Sequence, residues 1–216
     1  MRIYGVADIH SRVGRFARIR RNIEKLKPDL LVVAGDLCSY INPRQVVPEL
    51  YSMPAPVLAI RGNTDPRRVD DLLEQHPNTT SLHLKQVVID GTSFVGVSGA
   101  IPVPFRTRMR FRERRLRNRL ESLLNEDSVL VTHPPPFGTL DEVFGKFHAG
   151  SPNLHRIVSI CQPRVLICGH IHERPGTAFI GNTLVVNCSM GRGGAGAIID
   201  VENGRPAEAY LLPRGR

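Results

Sequence analysis

Apolar positions in the first part of the chain fall into two alternating patterns. Short unbroken runs at residues 3–7, 30–34 and 57–60 have the length of buried strands. Between the first two, Phe16, Ile19, Ile23 and Leu26 recur at helical spacing, and residues 46–51 form a second helical stretch before the third run. Strand–helix–strand units of about 30 residues imply a parallel sheet. Further along the pattern changes. Residues 87–89 and 93–97 flank Asp90-Gly91, a pair that closes hairpins. Residues 108–125 read as a helix, 129–132 as a strand, 154–161 as a helix and 165–168 as a strand. From Thr177 to Leu212, short β segments are joined by Gly-Asn, Gly-Gly and Asn-Gly turns. The expected architecture is α/β, with two sheets packed together, helices outside, and one domain spanning residues 1–216.

Composition adds bounds. A chain of 216 residues buries roughly 70% of its unfolded surface and needs no covalent staples. No run of 18 apolar residues occurs, so no membrane-spanning helix is expected. The opening stretch meets Asp8 too early to serve as a signal-peptide core, and the cytoplasm is the expected compartment. Cys38, Cys161, Cys168 and Cys188 stand singly and are expected to be reduced, mostly buried thiols. The net charge of +9 is local: eight arginines and one acid lie between Arg106 and Arg119, and the rest of the chain is nearly balanced. Such a cluster suits phosphate-bearing substrates or nucleic acid.

The chemistry lies in five short blocks, each placed where an expected strand ends: Asp8-Ile9-His10, Gly35-Asp36, Gly62-Asn63-Thr64-Asp65, Thr132-His133-Pro134 and Gly169-His170-Ile171-His172. Loops at the C-terminal ends of parallel strands converge on a crevice, where ligands bind. Asp8 with His10, and His170 with His172, point the same way if the chain there is extended. Gly35, Gly62 and Gly169 precede ligand candidates where a tight turn or a close backbone approach is wanted. Histidines mixed with carboxylates and an amide suit Mn, Fe, Zn, Co or Ni better than Mg or Ca. One carboxylate can bridge two such ions, an arrangement used for displacement at phosphorus. Each block alone carries little weight; the ordered set of five does.

At these residues the sequence resembles the calcineurin-like metallophosphoesterase superfamily, whose signature runs D-x-H, G-D, G-N-H-(D/E), H, G-H-x-H. The run from His133 through Asp141, and His148-Ala149-Gly150-Ser151, are similar to a prokaryotic phosphodiesterase-like subgroup, and Val186-Asn187-Cys188-Ser189 resembles the strand and turn that follow. The resemblance implies a four-layer α-β-β-α sandwich of two mixed sheets with flanking helices. It implies one divalent transition-metal ion, manganese first, on Asp8, His10, Asp36 and His172. A second falls to Asp36, Asn63, His133 and His170, with Asp36 bridging, and a phosphodiester is attacked by hydroxide between the ions. Asp36, Asn63 and His133 thereby also become catalytic.

Two departures stand out. Thr64 replaces the histidine usual after Gly-Asn, and Ser39 replaces the aspartate that partners it. That dyad is credited with protonating the leaving group, help worth about 10²–10⁴-fold. Without it, rates should fall steeply as leaving groups worsen, unless another acid serves; His148 is the candidate. His76, His83 and His155 read as structural. Asp65 either supports a ligand or begins a helix with Pro66. The arginine run, Arg106 to Arg119, is either a solvated face or a basic rim, and the second alternative makes the protein a nuclease with steeply salt-dependent binding. The Gly-rich stretch at 191–196 reads as a tight β turn, not a nucleotide loop. A non-catalytic scaffold would have lost histidine ligands, and none is missing here. Oligomeric state is left open.

Overall fold

The computed structural model describes residues 1–40, 42–99, 110–202 and 204–213, with the side chains of 110–116 outside the described set. Arg106 and Arg108, and the side chains of Arg110, Arg112, Arg114 and Arg115, therefore lie outside the described residues.

The chain opens with β1 (Arg2–Val6), α1 (Val13–Leu26), β2 (Leu30–Ala34), α2 (Pro43–Val46), α3 (Pro48–Tyr51), β3 (Val57–Ile60), α4 (Arg68–Leu73) and β4 (Thr79–Ser81). A second set follows: β5 (Gln86–Ile89), β6 (Thr92–Val97), α5 (Arg110–Leu123), β7 (Val129–Thr132), the short pair β8 (Glu142–Val143) and β9 (Phe147–His148), α6 (Pro152–Cys161), β10 (Val165–Cys168), β11 (Gly176–Ile180) and β12 (Thr183–Asn187). The chain then returns to the first sheet with β13 (Ala197–Asp200) and β14 (Glu208–Leu211). Two mixed six-stranded sheets result, ordered β14-β13-β1-β2-β3-β4 and β11-β12-β10-β7-β6-β5.

Strand β2 shows why its sequence is apolar throughout. Leu30, Val32 and Ala34 face the second sheet, whereas Leu31 and Val33 face the helices. Alternate residues point to opposite faces, so a strand buried on both sides has no polar phase. Ile3, Leu58 and Ile60 meet Phe94, Val131 and Ile167 between the sheets. Phe16, Ile19 and Ile23 of α1 cover the first sheet's outer face. Leu120 of α5 and Leu154, Ile157 and Val158 of α6 cover the second. This is the α-β-β-α sandwich. Among the described residues no helix is long and apolar enough to cross a membrane.

Two local expectations change. Residues 46–51 are not one helix: Asn42 caps α2, and Pro48, lacking an N–H, begins α3. Pro66 does not open α4, which starts at Arg68. The Gly-rich stretch forms the expected tight β turn, with Gly194 N–H donating to the Gly191 carbonyl at 3.0 Å and both Arg192 and Gly193 at positive φ. The Asp90-Gly91 hairpin forms as expected, both residues having positive φ.

β1, β2 and β3 run parallel, as do β6, β7, β10 and β12 in the other sheet. Their C-terminal ends meet at one edge of the sandwich. Met190 N–H donates to the Ala7 carbonyl there at 2.9 Å, and His133 reaches the Ala34 carbonyl at 2.9 Å, so both sheets are sewn together where the loops begin.

Candidate metal centre

Asp8 and His10 follow β1, Asp36 follows β2, Asn63 follows β3, His133 follows β7, and His170 and His172 follow β10. The structure brings all seven together. They do not converge through extended backbone. Asp8, His10, Asp36 and His170 have φ of 59°, 52°, 54° and 69°, in the left-handed region. Aspartate and histidine tolerate that region better than most residues, and such conformations concentrate at functional sites. Turning the chain this sharply aims successive side chains into one space.

The backbone must also approach closely. A Cβ on Gly62 would stand 2.1 Å from Asp36 Oδ1, and one on Gly191 would stand 2.5 Å from the His172 ring. The first was legible as a glycine before a ligand; the second sits in the Gly-rich turn, which the sequence marked as a turn but not as a neighbour of His172.

Ligand atoms fall into two neighbouring groups, Asp8–His10–His172 and Asp8–Asp36–His133. His172 Nε2 lies 3.2 Å from Asp8 Oδ1. Asp36 faces both ways: Oδ1 is 3.4 Å from His133 Nε2, and Oδ2 is 3.7 Å from His10 Nε2. Asn63 Oδ1 lies 2.9 Å from His133 Nε2 and 3.0 Å from His170 Nδ1, and the two histidine nitrogens are 3.2 Å apart.

These contacts test whether the residues fit cations. A carbonyl only accepts, so His133 Nδ1 donates to Ala34 and Nε2 faces inward. There it meets an amide oxygen, a carboxylate oxygen and a second ring nitrogen, a crowd of lone pairs that a cation would resolve. Asp8 and Asp36 are 0% and 3% exposed, and among the described residues only histidines form ion pairs with them. Buried carboxylates need partners or metal. The donor set fits.

Electrostatics agree. Burial opposes ionisation of Asp8, but the His172 hydrogen bond and the His133 charge outweigh it and hold its pKa near 2. Burial would lower His133, yet its hydrogen bond to Asp36 and that carboxylate's charge push it up to about 9. His170 beside it is held down at about 4, by burial and then by His133. A field that keeps a proton on His133 also favours a metal cation in its place.

Supporting groups surround the ligands. The Asp65 carboxylate accepts from the N–H groups of Gly62, Leu37 and Cys38 at 2.8, 3.1 and 2.6 Å, clamping two ligand loops together. Asn187 Nδ2 donates to the Ile171 carbonyl between the two histidines of the last block, and Arg15 donates to the Asp8 carbonyl. Arg15 carried no signal in the sequence beyond its charge. Thr64 N–H donates to Asp36 Oδ1 at 2.9 Å, while its buried hydroxyl donates to the Cys38 carbonyl.

His148 stands apart. Among the described residues no hydrogen bond or ion pair joins it to the seven; its Nδ1 donates to Asp141 Oδ1 at 2.7 Å. His76 stacks on Tyr51, His83 accepts from Ser98 N–H, and His155 is exposed on α6. Arg117 lies 3.4 Å from Glu121 and Arg119 is exposed, so the described part of the basic run is helix surface.

A family model described as calcineurin-like phosphoesterase matches residues 1–174. An uncharacterised protein of Methanocaldococcus jannaschii is 30% identical over 200 residues, covering 88% of each chain. A cAMP/cGMP dual specificity phosphodiesterase of Mycobacterium tuberculosis is 25% identical over 191 residues, covering 83% of this chain and 59% of that one. A solved structure from Thermus thermophilus superposes with a TM-score of 0.72 at 15% identity, covering 97% of this chain and 98% of that one, a likeness of fold.

Proposed function

This chain belongs to the calcineurin-like phosphoesterase family of metal-dependent hydrolases, and we propose that it hydrolyses phosphodiesters at a centre built for two divalent cations. The observation that carries the proposal is Asp36, whose two oxygens face different histidines. Asp8, His10 and His172 would hold one ion and Asn63, His133 and His170 the other, with Asp36 between them. When bound, the ions supply Lewis acidity that ionises water near neutral pH and offsets charge on phosphoryl oxygens.

The residues themselves do the positioning. Asp65 fixes the loops of Asp36 and Asn63 relative to each other. The Ala34 carbonyl sets the tautomer of His133 and so aims Nε2 inward. A mixed nitrogen and oxygen donor set makes manganese the first ion to test. The relative named as a phosphodiesterase supports a diester substrate.

The test is reconstitution. Chelator-stripped protein should regain turnover of bis(4-nitrophenyl) phosphate with Mn²⁺, exceed its own rate on 4-nitrophenyl phosphate, and bind two ions per chain by elemental analysis. Inactivity with Mn, Fe, Co, Ni and Zn alike would overturn the catalytic reading. One ion per chain at full activity would overturn the dinuclear one.

A further inference from the structure

The family's leaving-group dyad cannot be rebuilt from Thr64 and Ser39. The Thr64 hydroxyl is buried and committed to the Cys38 carbonyl. An aliphatic hydroxyl is in any case a poor proton donor near neutral pH. Yet the chain holds another histidine–carboxylate pair, on the loop that leaves His133.

That loop is a built structure. Its two arms close on each other: Phe137 N–H donates to the Ser151 carbonyl at 3.0 Å and Ser151 N–H to the Pro135 carbonyl at 2.9 Å. Inside lies Asp141, 1% exposed, whose Oδ2 accepts from the N–H groups of Gly138 and Gly150, both at 3.0 Å. A Cβ on Gly150 would stand 2.7 Å from Asp141 Oδ2 and 2.5 Å from the Pro136 carbonyl oxygen, so the loop closes round this carboxylate only with glycine there. Asp141 Oδ1 then holds His148 Nδ1 at 2.7 Å. A carboxylate accepts only, so Nδ1 is the donor and Nε2 points away from Asp141. The Phe137 ring flanks the imidazole at 5.3 Å between centroids. The hairpin carrying His148 is tied to the last ligand block, because Glu142, opposite His148 in the β8–β9 register, pairs with Arg174 two residues after His172. Leu140 packs against Gly176 in the same place. The loop thus springs from one ligand, His133, and is anchored beside another, His172.

We propose that His148 is the general acid of this site and that Asp141 is its positioning residue. The inference rests on the phosphodiesterase reading given above. As water's oxygen forms the new bond to phosphorus and its proton goes to solvent, the P–O bond to the leaving group breaks. The electron pair passes to the departing oxygen, which takes the Nε2 proton and leaves as a neutral alcohol. Neutral His148 regains a proton from water, while Asp141 keeps the ring oriented throughout. An exposed imidazole suits this role, since its side chain is 42% accessible and can exchange protons with solvent.

The experiment is a leaving-group series of aryl methyl phosphates, from nitrophenyl to unsubstituted phenyl, with manganese-loaded protein. The unmodified protein should show a shallow dependence. In His148→Ala and His148→Gln, the ratio of nitrophenyl to phenyl rates should rise about 100-fold, within the range general acids contribute. Asp141→Asn should shift it the same way by less. Metal content, measured on each variant, should stay at the wild-type value. Equal loss across the series, an unchanged ratio, or a steep dependence already present before mutation would overturn the assignment. Wild-type protein inert on every member would overturn the phosphodiesterase reading, and the assignment with it.

Discussion

Changing Asp65 to Asn alters one atom of a side chain outside the seven ligands, yet it should unsettle the whole centre. The buried carboxylate accepts three backbone N–H groups from two loops. An amide offers one oxygen, so at least one N–H must face the new NH₂ group, which donates rather than accepts. An orphaned buried donor costs about 1–3 kcal/mol, and two bonds weakened from charge-assisted to neutral lose roughly 1 kcal/mol each. The expected loss is about 3–5 kcal/mol, a large share of the roughly 5–15 kcal/mol available to a folded chain. At about 2.1 cal/mol/K per residue, a chain this long loses roughly 2 °C of melting temperature per kcal/mol, or about 6–11 °C here. Metal affinity should fall about 10–100-fold, as it does when groups that orient ligands are lost. Calorimetry of the chelator-stripped variant isolates the first effect and a manganese titration the second. A melting temperature within about 2 °C of wild type, with unchanged affinity, would refute the clamp; the 2 °C bound corresponds to roughly 1 kcal/mol.

Three further outcomes are expected. Asp36→Asn should cost more activity than any other single ligand change, beyond the roughly 100-fold ceiling typical of outer-shell partners; a smaller loss than His10→Asn in the same assay would count against a bridge. Gly191→Ala should displace the His172 ring and weaken one ion far more than the other, visible as two separated steps in a metal titration; unaltered binding of both ions would show that the turn yields. Under native conditions a thiol reagent should label Cys161 and spare Cys38, Cys168 and Cys188, which are buried. Burial, and then the charge of Asp65, push the Cys38 thiol up to about 12, keeping it protonated. Rapid labelling of Cys38 would disprove that burial.

Much of the sandwich was readable because strands buried on both faces, such as residues 30–34, are apolar throughout and cannot be mistaken for amphipathic helices. The break between Val46 and Pro48 was harder: Val47 keeps helical angles, so the periodicity runs on while Pro48 interrupts the hydrogen bonding. Glycines before ligands announced the close approaches at Gly35 and Gly62. Gly191 gave no such notice, since its neighbour His172 lies on another loop. Asp65 could be read two ways because Asp-Pro is also a common helix start; only the folded loops reveal which N–H groups it faces. The pairing of His148 with Asp141 was equally hidden. It depends on a loop closing across residues 136 and 151, which no local spacing encodes.

The left-handed backbone at Asp8, His10, Asp36 and His170 bears on how mutagenesis of this centre should be interpreted. Alanine enters that region reluctantly, at a cost of roughly 1–2 kcal/mol per residue. Truncating any of these four side chains therefore removes a donor atom and also invites the turn beneath it to relax. An alanine scan would add those two losses and credit both to coordination. Asparagine accepts the same torsions at little cost and differs from aspartate mainly in charge and donor character. Asparagine variants would therefore measure what each ligand does, and the excess loss in the matching alanine variant would measure what its backbone geometry is worth.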